Sequence, residues 1–286
     1  MTVKILADSA CDLSEDYYNR YNIEMIPLTV HLDDQEYQDG VEIKPTTVYH
    51  AMREGKTPKT SQVSPHLFRQ IFTSYAEADQ PFIYPAFSSE LSGTYQTAKM
   101  VEQEIKETYP NAKMQVIDTK CASIGCGLVV LRAAQLAQNG SDFDRIIEAV
   151  TYHAEHMEHI FTVDDLEYLY RGGRVSKTAA FVGSFLKIKP ILHVEDGLLV
   201  PLEKQRGSKK LFNRMLTIME ERGTDFSSQT VGISHADDLE TAREIAASIR
   251  EKFNPADILI DMVGATIGAH AGPGTIAIFF LNDHYN

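Results

Sequence analysis

The chain has 286 residues, of which 43% are hydrophobic and 23% are charged. This length predicts two domains, and this composition excludes a mostly disordered chain. The formal net charge of −13 disfavours nucleic acid as a partner. No segment reaches the roughly 20 apolar residues of a membrane span, and no leader precedes the first apolar stretch, so we expect a cytoplasmic protein.

The cysteines and a group of histidines give no sign of a metal site. Cys11, Cys121 and Cys126 are odd in number and form no CxxC pair, which predicts reduced core thiols rather than a disulfide framework or a zinc site. The three histidines at 153, 156 and 159, which we predict to share one helix, spread around it instead of stacking one turn apart. We therefore predict no bound metal.

The first half alternates strand-like and helix-like segments, which predicts a parallel sheet with helices on both faces. The first helix is predicted to begin at Asp12, with Glu15 completing a capping box. The predicted strands are 3–7, 23–30, 82–87 and 114–117, and the later predicted helices are 46–54, 64–78, 93–107 and 124–138.

The second half changes character near residue 158. Asp196-Gly197 separates two apolar runs and predicts a hairpin, so this sheet is expected to be partly antiparallel. Helices are predicted at 208–221 and 238–253, and strands at 230–233, 258–263 and 275–281. We predict two closely packed domains, residues 1–158 and 159–286, with a ligand site between them.

A run of small polar residues from Ser88 to Thr94 follows a predicted strand and opens a helix. Ligands bind at this position in open α/β folds. The hydroxyls of Ser92 and Thr94 and the free backbone N–H groups around Gly93 suit an anion. An ordinary helix cap is the alternative.

Two further polar stretches indicate a ligand site only when they are considered together with the run from Ser88 to Thr94. Residues 59–62 lie between predicted helices and supply three successive donors, including Thr60 and Ser61, although alone they look like a plain turn. His270 lies among three glycines and a proline, at a predicted strand-to-turn junction. A histidine there can hydrogen-bond a carboxylate near neutral pH, although a lone histidine is more often structural.

Residues 171–214 form a basic segment. It contains ten Lys or Arg and three acidic residues, a charge of +7 that leaves −20 for the rest of the chain. We predict that it faces an acidic partner or a phosphorylated group, the alternative being a solvated surface. The candidate residues are Arg171, Arg174, Arg206 and Lys209.

Six short motifs, in their order along the chain, resemble those of the DegV family. They are Asp8-Ser9, 60–62, 91–96, 168–176 with its Gly-Gly-Arg, Arg206-Gly207, and His270 with Gly272-Pro273-Gly274. The resemblance spans nearly the whole chain. It implies an α/β fold with a Rossmann-like, parallel-sheet N-terminal domain and a smaller α/β C-terminal domain whose sheet is mostly antiparallel.

The resemblance also implies a function. One long-chain fatty acid would lie between the domains, with no other cofactor, and its carboxylate would bind Thr60, Ser61, Ser92, Gly93, Thr94 and His270, with Arg206 nearby. In the role that the family implies, the protein has no catalytic residue of its own. It presents the acid to an ATP-dependent fatty-acid kinase, which makes an acyl phosphate for phospholipid synthesis. Transient contact with a membrane surface is compatible with this role.

The main alternative is a serine hydrolase acting on acyl substrates. Ser92 would be the nucleophile, His270 the base, and Asp8 or Asp118 the group that orients the base. The GxSxG elbow of such enzymes is missing from the sequence. No GxxxxGK[ST] phosphate loop occurs either, so the chain is expected to depend on a partner for ATP.

Overall fold

The structure is a computed structural model that describes residues 2–175 and 188–283. Its strands are β1 (Lys4–Asp8), β2 (Glu24–Ile26), β3 (Thr29–Leu32), β4 (Gln35–Gln38), β5 (Lys59–Ser61), β6 (Phe82–Ala86), β7 (Met114–Asp118), β8 (Met157–Thr162), β9 (Ile188–Glu195), β10 (Leu198–Arg206), β11 (Thr230–His235), β12 (Asp257–Met262) and β13 (Ile276–Leu281). Its helices are α1 (Glu15–Arg20), α2 (Pro45–Arg53), α3 (Pro65–Glu77), α4 (Thr94–Thr108), α5 (Ser123–Gln138), α6 (Phe143–Glu155), α7 (Glu167–Gly172), α8 (Ser208–Arg222), α9 (Leu239–Phe253) and α10 (Ala265–Ala271).

The N-terminal half is built on a four-stranded parallel sheet in the order β2-β1-β6-β7. Successive side chains of β1 point to opposite faces, so Leu6 packs with α3 and α4, whereas Ile5 and Ala7 pack with α5 and α6. Both faces are covered, as a parallel sheet requires. The predicted Rossmann-like domain is confirmed.

Strand β2 pairs with one side of β1 and β6 pairs with the other side, so the strand order reverses between β1 and β6. Because β1 and β6 are parallel, the segments that follow them leave the same edge of the sheet. Ligands bind at this position in such folds. Asp8 ties the two segments together: its buried carboxylate accepts hydrogen bonds from the Tyr84 hydroxyl at 2.7 Å and the Phe87 backbone N–H at 2.9 Å.

The C-terminal half is built on a six-stranded sheet in the order β10-β9-β8-β13-β11-β12. All its pairs are antiparallel except β11 with β12, so the predicted fold class is confirmed in this half as well. One face packs against α8 and α9, and the other, which carries Phe161 and Phe279, packs against α5. The predicted domain boundary, after residue 158, falls inside β8.

The predicted hairpin is confirmed at Asp196-Gly197. Both residues have positive φ, 49° and 85°, as a two-residue turn between twisted strands requires. Leu198 pairs with Glu195, and Leu199 pairs with Val194. The turn lies against the N-terminal domain, where the Ser88 hydroxyl donates to the Gly197 carbonyl at 2.8 Å.

A third sheet, β4-β3-β5, was not predicted. The predicted single strand over 23–30 divides into β2 and β3 around Pro27, which has no N–H to continue a ladder. The predicted turn at 59–62 is also wrong, because residues 59–61 form β5 and Thr60 pairs with Val30.

The predicted start of the first helix is wrong. The helix begins at Glu15 after Ser14, and Asp12 ends a preceding 3-10 turn with a φ of 53°. The Asp12 carboxylate is buried and accepts a hydrogen bond from the Ser123 hydroxyl at the start of α5. Asp12 therefore joins two elements instead of capping its own helix.

Two predictions about histidines are also wrong. His270 lies in α10, not at a strand-to-turn junction, because residues 265–271 form a short helix before the chain turns into β13. The three histidines do not share a helix: α6 ends at Glu155, His156 follows it, and His159 lies on β8.

The three cysteines are free and buried, as predicted, and the sulfurs of Cys11 and Cys126 lie 3.2 Å apart. Within 2–175 and 188–283, no helix combines the length and apolar character needed to cross a membrane. No group of three metal-binding side chains occurs in those ranges either.

Candidate ligand-binding cavity

A cavity of about 390 Å³ lies between the two domains. This volume falls within the range of small-molecule sites. Its lining is mainly apolar, and it comes from the carboxyl edge of the parallel sheet on one side and from a face of the six-stranded sheet on the other. The cavity is therefore where the sequence predicted a site.

Four polar side chains from separate parts of the chain line one region of the cavity. We call them the head cluster: Thr60 of β5, Ser92 before α4, Arg174 after α7, and His270 of α10. The Thr60 hydroxyl and Nε2 of His270 are hydrogen-bonded at 2.7 Å. The structure therefore brings together three residues that the sequence assigned to a carboxylate and one that it assigned to a partner.

His270 is held neutral. Burial and the nearby positive charge of Arg174 lower the pKa of its imidazole to about 4. Gly172 makes room for the ring, because a Cβ at that position would clash with Nδ1. The first glycine of the Gly-Gly-Arg motif is thus needed for the packing of a histidine almost a hundred residues further along the chain.

Arg174 supplies a fixed cation to the cavity wall. Its Nε donates to the Leu91 carbonyl at 3.1 Å and its Nη1 donates to the Gly172 carbonyl, so the guanidinium is anchored to the backbone. Burial lowers the pKa of Arg174, yet a guanidinium remains charged in proteins. The head cluster therefore combines neutral donors with one positive charge.

The other predicted carboxylate residues lie near the head cluster in different roles. Thr94 is fully buried, its hydroxyl is bonded to that of Ser92 at 2.9 Å, and its N–H donates to Ser92 Oγ at 3.2 Å. Gly93 lines the cavity and leaves room for Gln62, whose side chain would clash with a Cβ there. Ser61 also lines the cavity, but its hydroxyl bonds to His31 at 2.7 Å on an exposed surface.

The basic segment is divided in the structure. Of the four predicted partner-facing residues only Arg174 lines the cavity, and Arg171 is exposed with its guanidinium 5.2 Å from the Tyr168 ring centroid. Arg206 and Lys209 are exposed at the end of β10 and the start of α8. Ser176, Lys177 and Lys187 of this segment lie outside the described residues.

Part of the positive charge of the segment is neutralised by nearby acids. Arg214 bonds to Glu203 at 2.7 Å and to Glu221 at 2.8 Å, and Lys189 pairs with Asp164 at 2.8 Å. The sequence count of +7 already includes Glu203, whereas Asp164 and Glu221 lie outside the segment, so their two ion pairs leave less charge for a partner than that count implies.

Among the lining residues that the sequence analysis missed are five on the adjacent strands β8, β9 and β13, which we call the sheet wall. They are His159, Phe161, Val194, Ala277 and Phe279. The register explains why they share a face: His159 pairs with Phe279, Phe161 pairs with Ala277, and alternate residues of a strand point the same way. This alternation was the available signal, but it does not tell a cavity wall from a packed core.

His159 is a structural part of the sheet wall. Its Nε2 accepts from the Ala122 N–H at 3.1 Å, its Nδ1 lies 3.0 Å from the Met157 carbonyl, and its ring meets Phe279 edge-on with centroids 5.2 Å apart. Burial lowers its pKa to about 4. The ring therefore stays neutral and locks the start of α5 to β8.

The structure does not assemble the hydrolase triad from the residues proposed for it. Nε2 of His270 is bonded to Thr60, and the Asp8 carboxylate is occupied by Tyr84 and backbone groups. Asp118 accepts from the backbone N–H groups of Ser89 and Lys120, both at 3.1 Å. The two carboxylates thus organise the loops of the sheet edge instead of orienting His270.

The fold and cavity define a two-domain α/β protein with an interdomain site suited to a ligand that has one polar end. The sequence profile described as "Uncharacterised protein, DegV family" matches residues 2–283, and the chain belongs to the DegV family. A DegV domain-containing protein of Clostridium perfringens is 41% identical over 282 residues, covering 98% of this chain and 97% of the relative.

The chain is similar to solved structures over nearly its whole length, and two of them carry descriptions of a ligand. One is a DegV family protein from Thermus thermophilus that is described as binding fatty acid. It is 29% identical with a TM-score of 0.88, and the match covers 98% of this chain and 99% of that one. A DegV lipid-binding protein from Thermotoga maritima is 32% identical with a TM-score of 0.87, and the match covers all of both chains.

Proposed function

We propose that this protein binds one long-chain fatty acid in the interdomain cavity and presents its carboxylate to an ATP-dependent fatty-acid kinase. The kinase would convert the carboxylate to an acyl phosphate for phospholipid synthesis, and the protein would need no cofactor and catalyse no reaction alone. The observation that carries the proposal is the Thr60–His270 pair, which lies beside Ser92 and Arg174 in a mainly apolar cavity.

The fatty acid is favoured over other amphipathic ligands by the relatives that share the fold. The Thermus protein is described as binding fatty acid and the Thermotoga protein as binding lipid. Each buried CH₂ group contributes about 0.8 kcal/mol, so a chain of about 15 such groups contributes on the order of 10 kcal/mol before the costs of binding. The tail thus supplies most of the affinity.

The head cluster suits a carboxylate that must remain reactive. Hydroxyl and imidazole groups offer neutral hydrogen bonds, and Arg174 balances the charge while its Nε and Nη1 hold backbone carbonyls. A bidentate arginine clamp, by contrast, would occupy both carboxylate oxygens. One oxygen can then remain free to attack a phosphoryl group held by the kinase.

Exposed basic residues lie at the same end of the six-stranded sheet as His270. Strands β13, β8, β9 and β10 are successively antiparallel, so the start of β13, next to His270, and the end of β10, at Arg206, share one edge of the sheet. Arg206, Lys209 and Lys210 are exposed there. Exposed charges of this kind steer an acidic partner.

The carboxylate role of the head cluster is tested by comparing ligands with the same tail. Delipidated protein is titrated calorimetrically with octadecanoic acid and with octadecanol. We expect one acid per chain and at least about tenfold weaker binding of the alcohol, since hydrogen bonds to a charged group contribute about 1.5–3 kcal/mol. Equal affinities would show that the cavity does not recognise a carboxylate.

The partner role is tested by charge reversal. Protein loaded with fatty acid and carrying Lys209→Glu and Lys210→Glu is mixed with an ATP-dependent fatty-acid kinase, and acyl phosphate formation is followed. We expect roughly a tenfold loss, because like charges would then oppose the partner. Lys113→Glu, at an exposed position before β7, is the matched control. Unchanged turnover of the double variant would remove this surface from the proposal.

A further inference from the structure

The cavity has a second polar feature that the head cluster does not include. Ser123, the first residue of α5, and Ser234 of β11 both line the cavity, and their hydroxyl oxygens lie 3.2 Å apart. Ser123 also donates to the Asp12 carboxylate. All three side chains are buried, with Ser234 at 0% exposure and the other two at 5%.

The register places the serine pair part-way along the sheet wall. Ser234 is paired with Ala277 of β13, and the residues of β13 and its approach that line the cavity are Thr275, Ala277 and Phe279. Successive lining residues are about 7 Å apart along a strand. Thr275 lies next to the end of α10 that carries His270, where its hydroxyl contacts the Ala271 carbonyl at 3.0 Å, and Phe279 lies against His159. Ser234 is thus between the two ends.

The hydrogen bonds of the pair leave one serine proton available. Each serine hydroxyl has one proton and two lone pairs. Ser123 is the donor in its contacts with both Asp12 and Ser234, so neither contact uses the Ser234 proton. A methylene chain beside Ser234 has no acceptor for that proton. The oxygen of a hydroxyl group on the chain is such an acceptor, and its bond would extend the series that runs from Asp12 through Ser123 to Ser234.

We propose that Ser123 and Ser234 form a subsite for a hydroxyl group on an interior carbon of the acyl chain. The protein then selects mid-chain hydroxylated long-chain fatty acids over plain acids of the same length. This inference rests on the proposed function, since it requires an acyl chain in the cavity with its carboxylate at the head cluster.

The test is a competition among acids that differ only in the hydroxyl. Delipidated protein is incubated with equal amounts of octadecanoic acid and its 2-, 10- and 18-hydroxy derivatives, washed, and extracted for mass spectrometry. We expect the 10-hydroxy acid to be enriched about fivefold over octadecanoic acid, the effect of one net hydrogen bond, and the terminal isomers not to be enriched.

Variants assign the selection to the serine pair. Ser234→Ala should abolish the enrichment, and Ser123→Gly should reduce it, glycine being chosen because Ser123 has a φ of 52°. Thr162→Val removes a buried hydroxyl from the opposite face of the same sheet and should leave the enrichment unchanged. Enrichment that survives Ser234→Ala would overturn the subsite.

The two proposals fail in different ways. Loading of octadecanoic acid without enrichment of the 10-hydroxy acid overturns the subsite alone. If no acid loads at all, the proposed function fails and the subsite fails with it.

Discussion

The head cluster and the sheet wall face the same cavity but are built in opposite ways. The head cluster takes one side chain from each of four separate stretches, and every one depends on a neighbour, as His270 depends on Gly172. The sheet wall takes alternate side chains from regular strands, so backbone pairing alone aligns them. The first region can position a polar group precisely, whereas the second offers an extended apolar surface.

The two buried histidines show the same contrast. Burial lowers the pKa of each to about 4. Both nitrogens of His159 face backbone groups, which makes it a fixed part of the scaffold. His270 instead bonds to the Thr60 hydroxyl, a partner that can be exchanged for a ligand. Equal pKa values therefore do not mean equal roles.

The largest expected effect comes from filling the sheet wall with Ala277→Phe. The new ring would occupy the space beside Phe161 and Ser234, so an acid of about 18 carbons should lose affinity by about a hundredfold or more, given the CH₂ groups displaced. Calorimetry on delipidated protein measures this loss. An acid of about ten carbons should still bind, which controls for folding; unchanged binding of the longer acid would mean that the tail does not follow this wall.

A smaller effect should appear in the pH dependence of stability. The pKa of His159 falls from 6.5 to about 4 on folding, so its contribution is fully present above the unfolded value and is lost as the pH drops towards 4. Between about pH 7 and 5 this amounts to about 2 kcal/mol.

Denaturant unfolding of delipidated protein at several pH values checks this. His159→Gln should flatten the decline, and the exposed His66→Gln should not. A variant that declined as steeply as the wild type would show that His159 is not buried in its neutral form.

The smallest expected effect is that of a single head-cluster hydroxyl. Thr60→Val keeps the shape of the side chain and removes its bond to His270, so affinity for a long-chain acid should fall about tenfold. Affinity for the matching alcohol should change much less. If acid and alcohol were affected equally, Thr60 would act through packing and not through the carboxylate.

The sequence predicted the fold better than it predicted the site's details. Alternation and caps identified most of the elements: Ser64 caps α3 by accepting from Leu67 N–H at 3.2 Å, and Asp238 caps α9 by accepting from Thr241 N–H at 3.2 Å. The sequence does not give the role of Asp12, because a capping residue and a buried carboxylate that joins two elements look alike until α5 is in place.

The head cluster was anticipated mainly through the family resemblance. Thr60, Ser92 and His270 are each unremarkable in their local sequence, and their proximity depends on contacts between distant elements. The sheet wall was missed for a related reason: Phe161 and Phe279 have the same pattern whether they border a cavity or fill a core. Only the tertiary structure distinguishes these cases.

Denaturing extraction of the purified protein, followed by lipid mass spectrometry, shows whether the cavity holds one fatty acid. We expect one acid per chain, with about 14 to 20 carbons, since a tail of that length supplies the required affinity. A protein that is recovered empty and cannot be loaded with any such acid would rule out the proposed function.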